Sequence, residues 1–222
     1  MQKVLRLSLI ATLGYVVLTL AAGLHAHSLA LMSEAGHNAS DALAIVLSFV
    51  AVWFQAKPAN EQKTFGYQRA GVLAAFLNAA TLIGIAIWIA WDAVGRLSRP
   101  AAVEPRTMIY VAAAGVAMNG AIAAMLWRAS HDVNIRSVFI HMLGDTLSTA
   151  AVIAGGAAIL VTGATWVDPA LSLGIAAMIL WSSAAIVRET LNILLEGTPR
   201  GLSLGEIRET LEKIEGVEDV HD

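Results

Sequence analysis

With 57% hydrophobic and only 14% charged residues over 222 positions, and a mean hydropathy of +0.68, the chain is too apolar to cover itself with polar surface. A soluble domain carries roughly 25% charged residues. The formal charge of −3 gives no basis for a nucleic-acid partner, and the lack of cysteine excludes disulfides, thiolate metal sites and iron–sulfur clusters.

A helix needs about 20 mostly apolar residues to cross a bilayer. Six segments meet that length: residues 7–25, 29–54, 70–94, 107–127, 138–161 and 169–187. The first follows Lys3 and Arg6 as a signal peptide would, but its apolar run continues to Leu24 without a small-residue cleavage site, so it reads as a retained span. Pro58, Pro100 and Pro169 stand at span ends, where a missing backbone donor does least harm. Trp53, Trp91, Trp127 and Trp166 fall near span ends, as an interfacial aromatic belt requires.

Basic residues set the orientation. Lys3, Arg6, Lys57, Lys63, Arg69, Arg128, Arg136, Arg188 and Arg200 fall on one side; Arg96, Arg99 and Arg106 fall on the other. The richer side is cytoplasmic by the positive-inside rule, which places both termini there. After Gly197 the character changes. Residues 202–214 form an amphipathic helix with Leu204, Ile207, Leu211 and Ile214 at helical spacing, and Ser203 with Glu206 matches a capping box. Gly216 ends it, and residues 217–222 read as the opening of a strand. The fold expected is an all-α integral membrane bundle of six transmembrane helices over residues 1–190. Residues 191–222 are then a linker and the start of a truncated cytoplasmic α/β domain.

Ionisable groups inside a span cost several kcal/mol unless they are paired or face water, which makes them functional candidates. Glu34, His37 and Asp41 in the second span are spaced by three and four residues and share one helical face. Asp41 lies about 12 residues into its helix, or ~18 Å deep. His141 and Asp145 repeat the i, i+4 spacing in the fifth span. If the two faces meet, two imidazoles and two carboxylates suit tetrahedral zinc. Magnesium and calcium prefer all-oxygen shells, whereas cobalt, iron(II), manganese and cadmium are not separated by ligand type. Spacing alone leaves a proton relay or a structural pairing open.

Other polar residues have plainer readings. His25 and His27 lie near a span end, and His131 and Asp132 in a short loop. Asn78 and Asn119 suit hydrogen bonds between helices, Asp92 lies near a span end, and Asp168 before Pro169 matches an N-cap. Gly155 and Gly156 suit close helix packing. An intramembrane zinc protease would need His-Glu-x-x-His and a di-iron desaturase several histidine boxes. Neither occurs, and no nucleotide motif is present.

The ordered set Ser33-Glu34-Ala35-Gly36-His37-Asn38-Ala39-Ser40-Asp41, Phe65-Gly66-Tyr67-Gln68-Arg69-Ala70-Gly71, His141-Met142-Leu143-Gly144-Asp145, Asp168-Pro169 and Leu194-Leu195-Glu196-Gly197-Thr198-Pro199 resembles the cation diffusion facilitator family. The resemblance covers nearly the whole chain. It implies six spans, a homodimer, and exchange of cytoplasmic metal for external protons across the cell (inner) membrane. It also implies a transport site whose four metal ligands fall on His37, Asp41, His141 and Asp145. Histidine at position 37 resembles the zinc-transporting branch, with zinc as transported substrate. Where some members bind a second metal, this chain has Asn60, Lys63 and Tyr67, which implies no metal there; the histidine-rich fourth loop is replaced by residues 129–134. His221 matches a possible ligand of the cytoplasmic domain without its partners.

Overall fold

A computed structural model describes residues 2–58, 64, 66–99, 101–127, 133–198, 201, 203–214, 216–217 and 219–220, with no description of the side chains of residues 2–9, 48, 125–126 and 133–138. Among the described residues the secondary structure is entirely helical: α1 (Gln2–His25), α2 (Leu29–Gln55), α3 (Ala70–Ser98), α4 (Pro105–Trp127), α5 (Val133–Thr162), α6 (Val167–Leu194) and α7 (Leu204–Glu212). Five of these, α2 to α6, contain stretches long and apolar enough to cross a membrane. In α1 the described apolar stretch, Ile10–His25, is shorter.

The helices outrun the apolar segments at several ends. α3 continues through Arg96 to Ser98, and α6 runs to Leu194. Polar residues mark where lipid gives way to headgroups and water, but Asp92, Arg96 and Arg188 are all compatible with a continuing helix. Pro105 opens α4, where its missing N–H is one of the unpaired donors of a helix start.

Two lateral pairings dominate the packing: α4 lies along α5, and α3 along α6. α2 contacts α1, α3 and α6, but touches α5 only sparingly. Small residues set the close approaches. A Cβ on Gly156 would come within 2.9 Å of Ile109 Cγ1 and 3.2 Å of the Pro105 carbonyl on α4, and one on Gly155 would collide with Leu171 of α6. The paired glycines therefore let α5 pack between α4 and α6.

Two polar contacts fix the bundle at the end where α2 and α6 begin. Asp168 does not cap its own helix, whose N-cap is Trp166 without a side-chain bond. It lies fully buried in the first turn of α6 and caps α2 instead. Its carboxylate accepts from the Ser28 hydroxyl at 2.5 Å and from the Leu29 and Ala30 amides at 2.8 and 3.2 Å. Four amides at a helix start lack intrahelical partners, and a carboxylate there also meets the positive end of the helix dipole. Nearby, Arg96 donates to the His27 carbonyl at 2.5 Å and pairs with Asp92 at 3.1 Å.

At the opposite end Glu196, at φ 60°, ends α6 in the left-handed region, and the Gly197 amide bonds back to the Asn192 carbonyl at 2.7 Å. Glu196 pairs with Arg69 at 2.8 Å, joining the end of α6 to the start of α3. The Lys57 ammonium stands over the Trp53 and Phe54 rings at 3.7 and 4.7 Å. α7 is the amphipathic helix expected, with Ser203 accepting from the Glu206 amide at 3.4 Å. Its Arg208 holds Glu212 and Asp219, and the Glu212 carboxylate first, then Asp219, raises the guanidinium pKa further above its ordinary value. Val217, Asp219 and Val220 show no strand, while His221 and the rest of the expected strand lie outside the described residues.

Candidate metal site

α2 and α5 run antiparallel where they meet. The pairings of Glu34 with Thr149, His37 with Asp145 and Asp41 with His141 descend one helix while climbing the other. The i, i+4 spacing on each helix aims one imidazole and one carboxylate into the same gap. The result is a closed ring of alternating imidazole and carboxylate side chains, in which Asp145 offers a different oxygen to each histidine. His37 Nε2 lies 3.0 Å from Asp145 Oδ1 and 3.8 Å from Asp41 Oδ2. His141 Nε2 lies 3.4 Å from Asp41 Oδ2 and 3.6 Å from Asp145 Oδ2.

Those spacings have a chemical meaning. Four ligands at ~2.0–2.2 Å from a tetrahedral zinc ion stand about 3.3–3.6 Å from one another. The observed edges bracket that range. The diagonal is looser: the His37 and His141 rings are 6.1 Å apart between centroids and set edge to face. Hence the tightest group, with one ligand atom from each residue all within 4.8 Å of one another, comprises His37, Asp41 and Asp145. His141 lies outside that group and reaches it through its two carboxylate neighbours, Asp41 and Asp145.

Each carboxylate is flanked by two imidazoles and each imidazole by two carboxylates, and among the described residues no lysine or arginine pairs with the cluster. Two carboxylates facing a dication or imidazolium is an electrostatically matched arrangement; two carboxylates alone would repel. The side chains of Asp145 and His37 are 7% and 19% exposed, those of Asp41 and His141 29% and 46%, so access is from the Asp41–His141 side.

The remaining candidates separate cleanly. Asn78 accepts from Ser40 at 3.1 Å, bonding α2 to α3 as expected. Asn119 is buried, but its Nδ2 has no hydrogen-bond partner among the described residues. His25 is exposed and 3.9 Å from Glu104. Asn60, Lys63, His131 and Asp132 lie outside the described residues. A cavity of ≈ 1660 Å³ lies elsewhere, between the ends of α2, α3 and α6 beside Arg69 and Glu196, and holds none of the four site residues. Thr149 was not singled out from the sequence. Its position i+4 from Asp145 and i+8 from His141 puts it on the same face, which is the signal that could have found it.

Comparison with known proteins points the same way. The cation efflux transmembrane domain matches residues 5–195. The chain is 34% identical over 224 residues to a cadmium, cobalt and zinc/H(+)-K(+) antiporter of Bacillus subtilis, covering 100% of this chain and 72% of that protein. It is 37% identical over 223 residues to the zinc transporter ZitB of Pectobacterium atrosepticum, covering 99% and 70%. It is 33% identical over 222 residues to the metal cation efflux system protein CzcD of Cupriavidus metallidurans, covering 100% and 70%.

Proposed function

The chain belongs to the cation efflux family of membrane transporters, and on that premise we propose that it exports zinc from the cytoplasm in exchange for protons. His37, Asp41, His141 and Asp145 are the four ligands that carry the ion. The observation behind this reading is the closed alternation of imidazole and carboxylate between α2 and α5, with edges of 3.0–3.8 Å. Zinc is the cargo, and it lies among the metals named for relatives, together with cadmium and cobalt. Cadmium and cobalt accept the same donors and are the second reading.

The coupling follows from the ligands. Neutral imidazole and ionised carboxylate bind metal; their protonated forms do not. In the cytoplasm-facing state, zinc displaces protons from the site. On the other face, protonation of the same groups releases zinc, and the protons return inward with the empty site. This scheme needs no nucleotide. It also places α2 and α5 among six spans, with α1 as the first, both termini cytoplasmic, in the cell membrane and as a homodimer. Residues 1–190 then form the transport domain and residues 191–222 lead into a cytoplasmic one.

Reconstituted protein tests the proposal directly. Zinc flux into vesicles should rise when an opposing proton gradient is imposed and should vanish for Asp145→Ala. Flux indifferent to the gradient would sink the coupling, and a saturable flux that survives Asp145→Ala would sink the site.

A further inference from the structure

One turn beyond the metal-site residues, α2 and α5 are joined a second time. Glu34 precedes His37 by three residues on α2, and Thr149 follows Asp145 by four on α5. The Thr149 hydroxyl donates to Glu34 Oε1 at 2.5 Å and also reaches the main-chain carbonyl of Asp145 at 2.8 Å. Asn38 also holds Glu34, its amide donating to the same Oε1 at 3.2 Å and to the Glu34 carbonyl at 2.8 Å. Glu34, Thr149 and Asn38 are 1%, 0% and 3% exposed.

Exposure then rises in one spatial direction along both helices. On α2 it climbs from Glu34 through His37 to Asp41, and on α5 from Thr149 through Asp145 to His141. Because the helices are antiparallel, both gradients point the same way. The site is sealed at the Glu34–Thr149 end and open at the other.

We propose that the Glu34–Thr149 hydrogen bond is the release-side latch: it holds α2 against α5 while the site faces the cytoplasm, and it parts when the site opens to the opposite side. This rests on the transport reading above. Three observations support a latch in place of a fixed brace. First, α2 and α5 touch sparingly elsewhere, so few other contacts resist their separation. Second, helix faces in lipid lack a hydrophobic driving force for association, so an interhelical hydrogen bond is a sizeable part of what holds a sparse contact closed. Third, the layer is incompletely satisfied. Glu34 Oε2 is buried without a hydrogen-bond partner among the described residues. A buried polar atom without a partner raises the energy of the state that contains it. The sealed arrangement is therefore held by a specific bond yet kept within reach of an alternative.

The absence of native cysteine makes the test clean. Val152, fully buried one turn beyond Thr149 on the sealed side, is replaced by cysteine in the full chain. The rate of reaction with a membrane-impermeant maleimide, added from the side on which α2 begins, is measured in metal-free vesicles. Thr149→Val should raise that rate about five- to tenfold, the shift expected for losing one hydrogen bond. Glu34→Ala should raise it similarly, which keeps the test decisive if either variant folds poorly. Thr149→Ser, which keeps the hydroxyl, should return the rate to near that of the parent, whereas a merely structural role would leave the rate unmoved by the hydroxyl. Equal rates in Thr149→Val, Thr149→Ser and the parent overturn the latch. Zinc calorimetry on the same proteins separates the two ideas. Latch-dependent labelling without zinc binding would overturn the transport reading, and zinc binding with latch-independent labelling would overturn the latch.

Discussion

His37 Nε2 and Asp145 Oδ1, 108 positions apart in sequence, lie 3.0 Å from each other across the gap between α2 and α5. Neither partner can be removed without leaving the other in a largely buried setting with fewer charges to balance it. Asp145→Ala and His37→Ala should each lower zinc affinity by at least about 100-fold, since even residues that only orient metal ligands are worth 10- to 100-fold. Isothermal calorimetry in detergent reads the loss. A change of less than about fivefold in either variant would remove that residue from the ligand set.

Acid should compete with zinc, and the sign follows from which form binds. Metal-competent imidazole and carboxylate are deprotonated, so affinity is full at higher pH and is lost as pH falls. Each proton displaced on binding costs tenfold in affinity per pH unit. Displacement of one or two protons should therefore give a slope of about one to two decades per pH unit as pH falls. Calorimetry in buffers of different ionisation enthalpy counts the released protons independently. Binding that releases no proton would break the exchange mechanism.

Donor chemistry should set the choice of metal at position 37. In His37→Asp the set becomes one imidazole and three carboxylates, a harder site that favours manganese over zinc relative to the parent. The ratio of manganese to zinc transport in competition should rise about tenfold or more. An unchanged ratio would mean that selection happens elsewhere along the path.

The four candidate residues stand out in the sequence because a membrane span has no neutral reason to contain His and Asp on one face, where the same spacing on a soluble helix would not draw attention. That the two pairs face one another was not legible from spacing, since nothing in α2 names α5 as its neighbour; it came from the family resemblance. Thr149 escaped notice because threonine in an apolar helix needs no explanation: its hydroxyl bonds back to the carbonyl four residues earlier. Asp168 was read as the cap of its own helix, the local reading that Pro169 invites. Its partners, Ser28, Leu29 and Ala30, lie some 140 positions earlier, and no local rule reaches that far. The helix ends were not legible for a related reason: hydropathy marks the lipid boundary, and α3 and α6 continue past it.

That long-range cap gives a stability prediction. Asp168→Ala leaves the Leu29 and Ala30 amides and the Ser28 hydroxyl without this acceptor at a fully buried helix start. Losing a cap costs about 0.5–2 kcal/mol, and each buried donor left unpaired costs about 1–3 kcal/mol. A destabilisation of about 2–4 kcal/mol is expected, read as a lower thermal midpoint in detergent. Zinc affinity of the folded fraction should change by less than about threefold, because Asp168 stands apart from the ring of imidazoles and carboxylates.

Two glycine-to-alanine changes should act with opposite sign, although the chemistry is the same. Alanine is favoured over glycine in a helix interior by about 0.5–1 kcal/mol. At Gly174 of α6 a Cβ meets nothing within 4 Å, so Gly174→Ala should gain that amount. At Gly156 the same carbon comes within 2.9 Å of Ile109 Cγ1 and 3.2 Å of the Pro105 carbonyl. Pro105 is backbone at the start of α4 and cannot swing aside, so α5 itself must shift. Overpacking of this kind costs about 1–3 kcal/mol, which outweighs the helical gain. The consequence reaches the site, because α5 carries His141, Asp145 and Thr149 on one rigid rod. Gly156→Ala should lower both the thermal midpoint and the zinc affinity, whereas Gly174→Ala should raise the midpoint and leave affinity alone. Equal shifts of the two midpoints would mean that α4 does not hold α5 in register for the metal.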